Sequence, residues 1–542
     1  MLKIPYGISN FKTLIKEGYF YQDKTAYLEL LETLHAQYFL FLRPRRFGKS
    51  LFISTLEYYY GLEYAVVFED LFASLYIGKN RTQYANQYLI LSLEFARIDT
   101  QNQEQTKLGF LSNVKTGVSN LLHQYPQFFD ASDIEYILVA DTAEEVMKRL
   151  FANVRNKQLP HQIYLLIDEY DHFANELIAY DLDYFKSIVS QNGFVRKFYE
   201  SLKRATQEGV LGRIFITGVS PITLDSLTSG FNIVTNLTTD VRFHHLMGFS
   251  KEETTSILQG VGANAVTLPK LMADLQVWYN GYLFSHHAKE RLYNTDMVLY
   301  FANAYAVNQQ YPDKMLDVNI ASSYHKISQL SKINDREEER LVLLRDILEG
   351  EEIEIELTYQ FNFEKNFTDE DFLSLLLYLG LLTIKSGYGS NVVLQIPNYV
   401  IKQLYFEYFA EVSLRETAFS SRLIPVKAAI KKLVFQGEIE PFINIVETVL
   451  KKGYSNRDAM NYDEKHLKTL IISLLFPYNA YIIHSEYEAD KAYPDIFLER
   501  IPQVAIQYEV LIELKYLNKK QAKNETLFSR TEKAAKDQLT QY

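Results

Sequence analysis

Residues 39–61 read FLFLRPRRFGKSLFISTLEYYYG, and this stretch decides the fold. Gly48, Lys49 and Ser50 form the tail of the phosphate-loop pattern G-x-x-x-x-G-K-[ST], but Arg43 stands where the leading glycine belongs. The apolar run YFLFL at 38–42 comes immediately before, and helical spacing runs on to Gly61, which gives strand, loop and helix. In such a loop, main-chain N–H groups at a helix N-terminus converge on an anion. Lys49 would reach the outer phosphates, and the Ser50 hydroxyl would coordinate Mg²⁺. With Arg43, Arg45 and Arg46 flanking Phe47 and Gly48, part of the phosphate charge is expected to be met by side chains.

Three further apolar runs follow: YLILSLEF at 88–95, QIYLLIDEYDHF at 162–173 and GRIFITGVSPIT at 212–223, with helical patterns between them. That alternation predicts α/β architecture, a parallel sheet covered on both faces with ligands at the carboxyl ends of its strands. The third strand ends in Asp168 and Glu169. The first acid can hold Mg²⁺ through water, and the second can polarise an attacking water. Thr217, at the tip of a neighbouring strand, either senses the γ-phosphate or simply caps a helix.

With 542 residues the chain is too long for one core. It has 47% hydrophobic and 23% charged residues, the balance of a folded protein. A net charge of −11 argues against binding nucleic acid over the whole surface but leaves room for a local basic groove. The absence of cysteine excludes disulfides, thiolate metal sites and cysteine nucleophiles. No apolar run reaches the roughly 20 residues of a membrane span. A cytoplasmic location without membrane contact is the expectation.

Beyond 245 the pattern changes. Ser250 and Glu253 mark a capping box, and a mainly helical region is expected to about 438, with an acidic stretch at 336–356 read as a solvated face or loop. The last hundred residues read α-β-β-β-α, with the final helix from about 530. Three parts are expected: 1–245, 246–438 and 439–542. In the last, Asp495 precedes one strand, and Glu513 and Lys515 end the next. Strand alternation puts 513 and 515 on one face. Asp495 and Glu513 can hold Mg²⁺, and Lys515 can orient a nucleophile and stabilise charge on a phosphate. The plainer alternative is a hairpin with a surface Glu/Lys pair. The lysine-rich segment 515–536 either tracks a phosphate backbone or is a solvated helix face.

The motifs FLRPRRFGKSL, LLIDEYD, FITGVSPI and WYNGYLF, in this order, resemble the bacterial AAA-ATPase-like family found joined to a C-terminal PD-(D/E)xK nuclease-superfamily domain. The resemblance implies a P-loop ATPase that uses ATP and Mg²⁺, with Asp168 and Glu169 as its Walker B pair. It also implies a restriction-endonuclease-like nuclease domain centred on Asp495, Glu513 and Lys515. Glu464 on the preceding helix is then an additional metal ligand, and Gln538 a nucleic-acid contact. DNA is favoured over RNA as partner, and an oligomer is admitted. The segment KAYPD departs from relatives, which carry Gly-Arg before the aspartate strand. It keeps open a nucleotide-dependent switch whose nuclease-like domain binds without cutting. Glu486 and Glu488 are further acids close to this site.

Overall fold

The computed structural model describes residues 2–541 except 97, 191, 223–230, 318–323, 362–366, 416–423, 457–463, 479, 486–493, 502–505 and 518. The chain packs into two units. The first comprises Met1–Asp317, Gln329–Glu337 and Glu352–Asn398, and the second Val318–Ser328, Glu338–Glu351 and Tyr399–Tyr542.

The first unit is built on a parallel five-stranded sheet. Its strands are β1 (Tyr38–Leu42), β2 (Leu89–Glu94), β3 (Ile163–Asp168), β4 (Leu211–Gly218) and β5 (Thr235–Asn236), in the order β2-β3-β4-β1-β5. Every residue of β3 and β4 is buried. This is the signature of a parallel sheet covered on both faces, and it explains why these strands read as unbroken apolar runs. Helices α1 (Lys49–Tyr60), α2 (Gln103–Gln124), α3 (Ala143–Asn156) and α4 (Phe194–Gln207) provide the cover. α2 lies so close to β2 that a Cβ on Gly117 would come within 2.5 Å of Ser92 O. Phe110 of α2 stacks on Phe95, just past β2, and meets Phe198 of α4 edge-on.

The sheet order has a direct consequence. β4 lies between β1, which leads into the GKS loop, and β3, which ends at Asp168. All these strands run parallel, so the loop and the two acids emerge at the same carboxyl edge.

Beyond β5, the predicted capping box forms at the start of α5 (Lys251–Gly260), with Ser250 and Glu253 bonded reciprocally. α6 (Thr295–Asn308) follows, capped by the Asn294 side chain on Met297 N. The region is helical, but it also carries an antiparallel sheet, of which the sequence suggests only a strand near 384: β6 (Ile353–Glu356), β7 (Thr383–Tyr388) and β8 (Asn391–Gln395), in the order β6-β8-β7. The acidic stretch divides between the helix Glu337–Leu348 and β6.

In the second unit, α7 (Tyr399–Leu414) packs on α8 (Glu464–Leu475). β9 (Tyr481–Ser485), β10 (Ile496–Arg500) and β11 (Val510–Ile512) form an antiparallel sheet in the order β11-β10-β9. The last helix, α9 (Glu525–Leu539), starts earlier than predicted because Asn524 caps it, accepting Leu527 N. Among the described residues, no helix is long and apolar enough to cross a membrane.

Candidate functional site

The loop between β1 and α1 turns on two left-handed residues, Arg46 (φ +68°) and Gly48 (φ +98°). A Cβ built on Gly48 would meet nothing within 4 Å, so the space over the α1 N-terminus is open to an anion. Lys49 is buried, and its Nζ donates to Arg43 O (3.0 Å) and Pro44 O (2.9 Å). Its ammonium thus lies folded against the loop it would serve. Burial pulls Lys49 below the ordinary lysine range, with Asp168, Asp171 and Glu169 opposing.

Asp168 is buried at the end of β3, and its Oδ1 accepts Glu169 N at 2.9 Å. Burial raises its carboxyl above the usual range, opposed by a hydrogen bond from Ser50 and by Lys49. Ser50 and Asp168, the two residues expected at Mg²⁺, are therefore neighbours. Glu169 adopts φ +49°, the left-handed turn by which the chain leaves the strand. This donor set, a serine hydroxyl beside a buried aspartate and an ammonium, fits Mg²⁺ carried on a nucleotide.

Two expected residues turn out to be spent elsewhere. Arg43 is 1% exposed. Its guanidinium lies 4.2 Å from the centres of both the Phe41 and Phe284 rings, and its Nη1 donates to Leu42 O and Thr238 O at 2.8 Å each. It replaces the leading glycine as a structural pin and does not face the anion site. The hydroxyl of Thr217, fully buried, donates to Phe41 O at 2.8 Å. It braces β4 against β1 and is not placed as a γ-phosphate sensor. Arg45 lies close enough to Lys49 for its charge to act on the ammonium, and Arg46 is exposed at the rim.

The sequence reading also missed Asp171. Its carboxylate accepts Val219 N (3.0 Å), Ser220 N (2.7 Å) and Ser220 Oγ (2.9 Å), clamping the chain past β4 to the turn after β3. The signal was present as the third acid of IDEYD. The WYNGYLF segment forms the outer wall of the loop. Phe47 meets Tyr282 and Phe284 edge-on at 4.9 and 5.3 Å, and Thr295 Oγ1 donates to Phe47 O at 3.3 Å. Beside the loop is a largely apolar cavity of about 70 Å³, whose lining includes Phe20, Tyr21, Gln22, Leu51, Phe249 and Leu299.

The second cluster is in the C-terminal unit. Asp495 precedes β10, and its Oδ2 accepts Leu514 N at 2.6 Å. Glu513 and Lys515 follow β11 and form an ion pair. Glu464, first residue of α8, joins them: burial raises its carboxyl, and Asp495 and Glu513 raise it further, while Lys515 opposes. Burial likewise raises Asp495, opposed by the Leu514 N–H, with Glu513 adding to the rise. Three carboxylates thus repel one another around one ammonium, a charge pattern that a divalent cation would relieve. Among the described residues, no three His, Asp or Glu close into a cage. Gln538 lies on α9 as expected, and Glu486 and Glu488 fall outside the described residues.

Comparison with known proteins agrees with this geometry. Residues 5–228 match a family model described as "Predicted AAA-ATPase", and residues 462–542 match one described as "PD-(D/E)XK nuclease superfamily". The chain is also 27% identical over 311 residues to the "Uncharacterized protein in vnfD 5'region" of Azotobacter chroococcum mcd 1. The aligned stretch covers 55% of this chain and 52% of that protein, so the chain spans about half the length of this relative.

Proposed function

We propose that this chain, which joins a predicted AAA-ATPase domain to a PD-(D/E)XK nuclease-superfamily domain, binds and hydrolyses ATP with Mg²⁺ and cuts nucleic-acid phosphodiesters at its C-terminal site. The observation that carries the reading is that Asp495 bonds the chain between Glu513 and Lys515, which pair with each other, close enough to Glu464 for their charges to act on it, in a stretch that also matches the nuclease-superfamily model. We keep the division into 1–245, 246–438 and 439–542 as part of the proposal, with DNA as the favoured substrate.

At the first site, Lys49 leaves the loop carbonyls for the outer phosphates, and Ser50 and Asp168 hold the nucleotide's Mg²⁺. Glu169 orients the attacking water, and the cavity lined by Tyr21, Leu51 and Phe249 takes the base. At the second site, bound Mg²⁺ supplies Lewis-acid activation of the phosphate and its water. Asp495 and Glu513 hold that ion, with Glu464 behind them, and Lys515 stabilises the developing negative charge. Incubating the purified chain with DNA or RNA and Mg²⁺ or Mn²⁺, beside D495N and K515A, tests this. Cleavage surviving both substitutions would falsify the site.

A second reading has its own support. The Lys515 ammonium is tied to Glu513, and Asp495 to the Leu514 N–H, an arrangement compatible with a domain that binds nucleic acid without cutting. Retention of DNA on the wild-type chain with no cleavage under either metal would select it.

A further inference from the structure

The phosphate loop is gripped from outside by one residue at two points. The Asp296 N–H donates to Arg46 O at 3.2 Å, and Asp296 Oδ1 lies 3.6 Å from Arg46 Nη1. Arg46 is left-handed, a conformation that a residue with a side chain keeps only where its surroundings hold it. The pair is also lopsided. The Arg46 side chain is 39% exposed and that of Asp296 only 10%. A guanidinium on the loop's rim can turn toward an arriving phosphate, whereas a carboxylate buried in the first turn of α6 stays where it is.

Behind Asp296 stands a second acid. Asp317 is buried, and its charge adds to burial in raising the Asp296 carboxyl. Tyr6 Oη donates to Asp317 Oδ2 at 2.6 Å, and Tyr279 and Tyr300 lie close enough to feel its charge. Asp317 is also the last residue of the first unit before the chain passes into the second.

We propose that Asp296 is a positioning residue for the nucleotide's phosphates: it holds Arg46 while the loop is empty, yields it to a phosphate oxygen when nucleotide binds, and then, a buried carboxylate without its counter-ion, takes up a proton. The proposal rests on the phosphate-binding reading of the loop. One proton moves from the buffer to the Asp296 carboxyl. Burial places the Asp296 carboxyl at about 6, with Arg46 lowering it and Asp317 raising it, so withdrawing Arg46 favours the protonated form near neutrality.

The test is calorimetric titration of the full chain with ATP and with inorganic triphosphate, in two buffers of different ionisation heat. Wild type should take up protons with both ligands. D296N keeps the N–H and the shape of the side chain but cannot carry its charge. It should bind both ligands roughly fivefold more tightly and without proton uptake. R46Q, changed on the exposed side of the pair, should bind more weakly and also without proton uptake. Wild-type binding without proton uptake overturns the proposal, as does uptake persisting in either folded variant. Unchanged or weaker binding by D296N does the same. If D296N does not fold, R46Q decides. Failure of wild type to bind either ligand overturns the phosphate-loop reading and this proposal with it, whereas binding that K49A abolishes keeps that reading intact.

Discussion

Asp495 Oδ2 accepts the Leu514 N–H at 2.6 Å, so the residue expected to hold metal also ties the start of β10 to the chain just past β11. The two roles separate by substitution. Asparagine keeps an acceptor for Leu514 but loses the negative charge. D495N should therefore remain within about 0.5 kcal/mol of wild-type stability in urea, while D495A loses about 1 kcal/mol with the hydrogen bond. Both should lose metal-dependent cleavage by at least roughly a hundredfold. Equal stability losses in the two variants would mean that the hydrogen bond is not what positions Asp495.

Gly48 and Gly281 are both left-handed, with φ +98° and +113°, but they should respond differently to alanine. A Cβ on Gly281 would stand 1.8 Å from Pro397 O, so the wall of the loop must move to admit it. G281A should cost roughly 3 kcal/mol or more in thermal unfolding. A Cβ on Gly48 meets nothing, leaving only backbone strain of about 1–2 kcal/mol. Its methyl group, however, would project into the space expected for the phosphates. G48A should fold and fail to bind ATP, and an ATP-induced rise in melting temperature that survives in G48A would contradict the placement.

The arginines of RPRRF divide by the same logic. Arg43 is sealed between two rings with carbonyl partners, and lysine cannot reproduce a planar, forked donor there. R43A and R43K should both destabilise the fold, by about 2–4 kcal/mol. R45A should leave the melting temperature nearly unchanged while weakening ATP binding most at low salt. A stable R43K with weakened nucleotide binding would return Arg43 to the anion site.

The four long strands of the first sheet were legible because each is a continuous apolar run, the mark of burial on both faces. Their order was not, because pairing is set by neighbours far apart in the chain, such as Phe41 beside Thr217. That pairing also gives the Thr217 hydroxyl its partner, Phe41 O: a strand-tip hydroxyl can point to a ligand or to the next strand, and only the register decides. β6 was hidden by composition. Ile353-Glu354-Ile355-Glu356 alternates with the period of a strand, but its glutamates were read as part of a solvated acidic stretch. Asn524, a residue type favoured as a cap, marked the true start of α9.

Local chemistry was the readable part of both clusters. Lys49, Ser50 and Asp168 meet, as do Glu464, Asp495, Glu513 and Lys515. The residues that hold the loop in shape were not readable, because their partners are distant. Arg46 and Asp296 lie 250 positions apart, and nothing in Asn294-Thr295-Asp296 beyond a helix start announces that contact.

The Asp296 carboxyl, raised from 3.8 to about 6, makes stability depend on pH in a definite direction. A carboxyl raised on folding binds its proton more tightly in the native state. Its stabilising contribution is complete below about pH 4 and is lost as pH rises through 6. At pH 7.5 wild type holds a charged, crowded carboxyl pair, whereas asparagine imitates the protonated form. D296N should therefore be the more stable protein at pH 7.5, by on the order of 1 kcal/mol after allowance for the compensating Arg46. The difference should shrink toward zero by pH 4. Urea titrations of both proteins at several pH values across this window check the slope. A D296N advantage that is constant with pH, or that grows on acidification, would show that folding does not raise the Asp296 carboxyl.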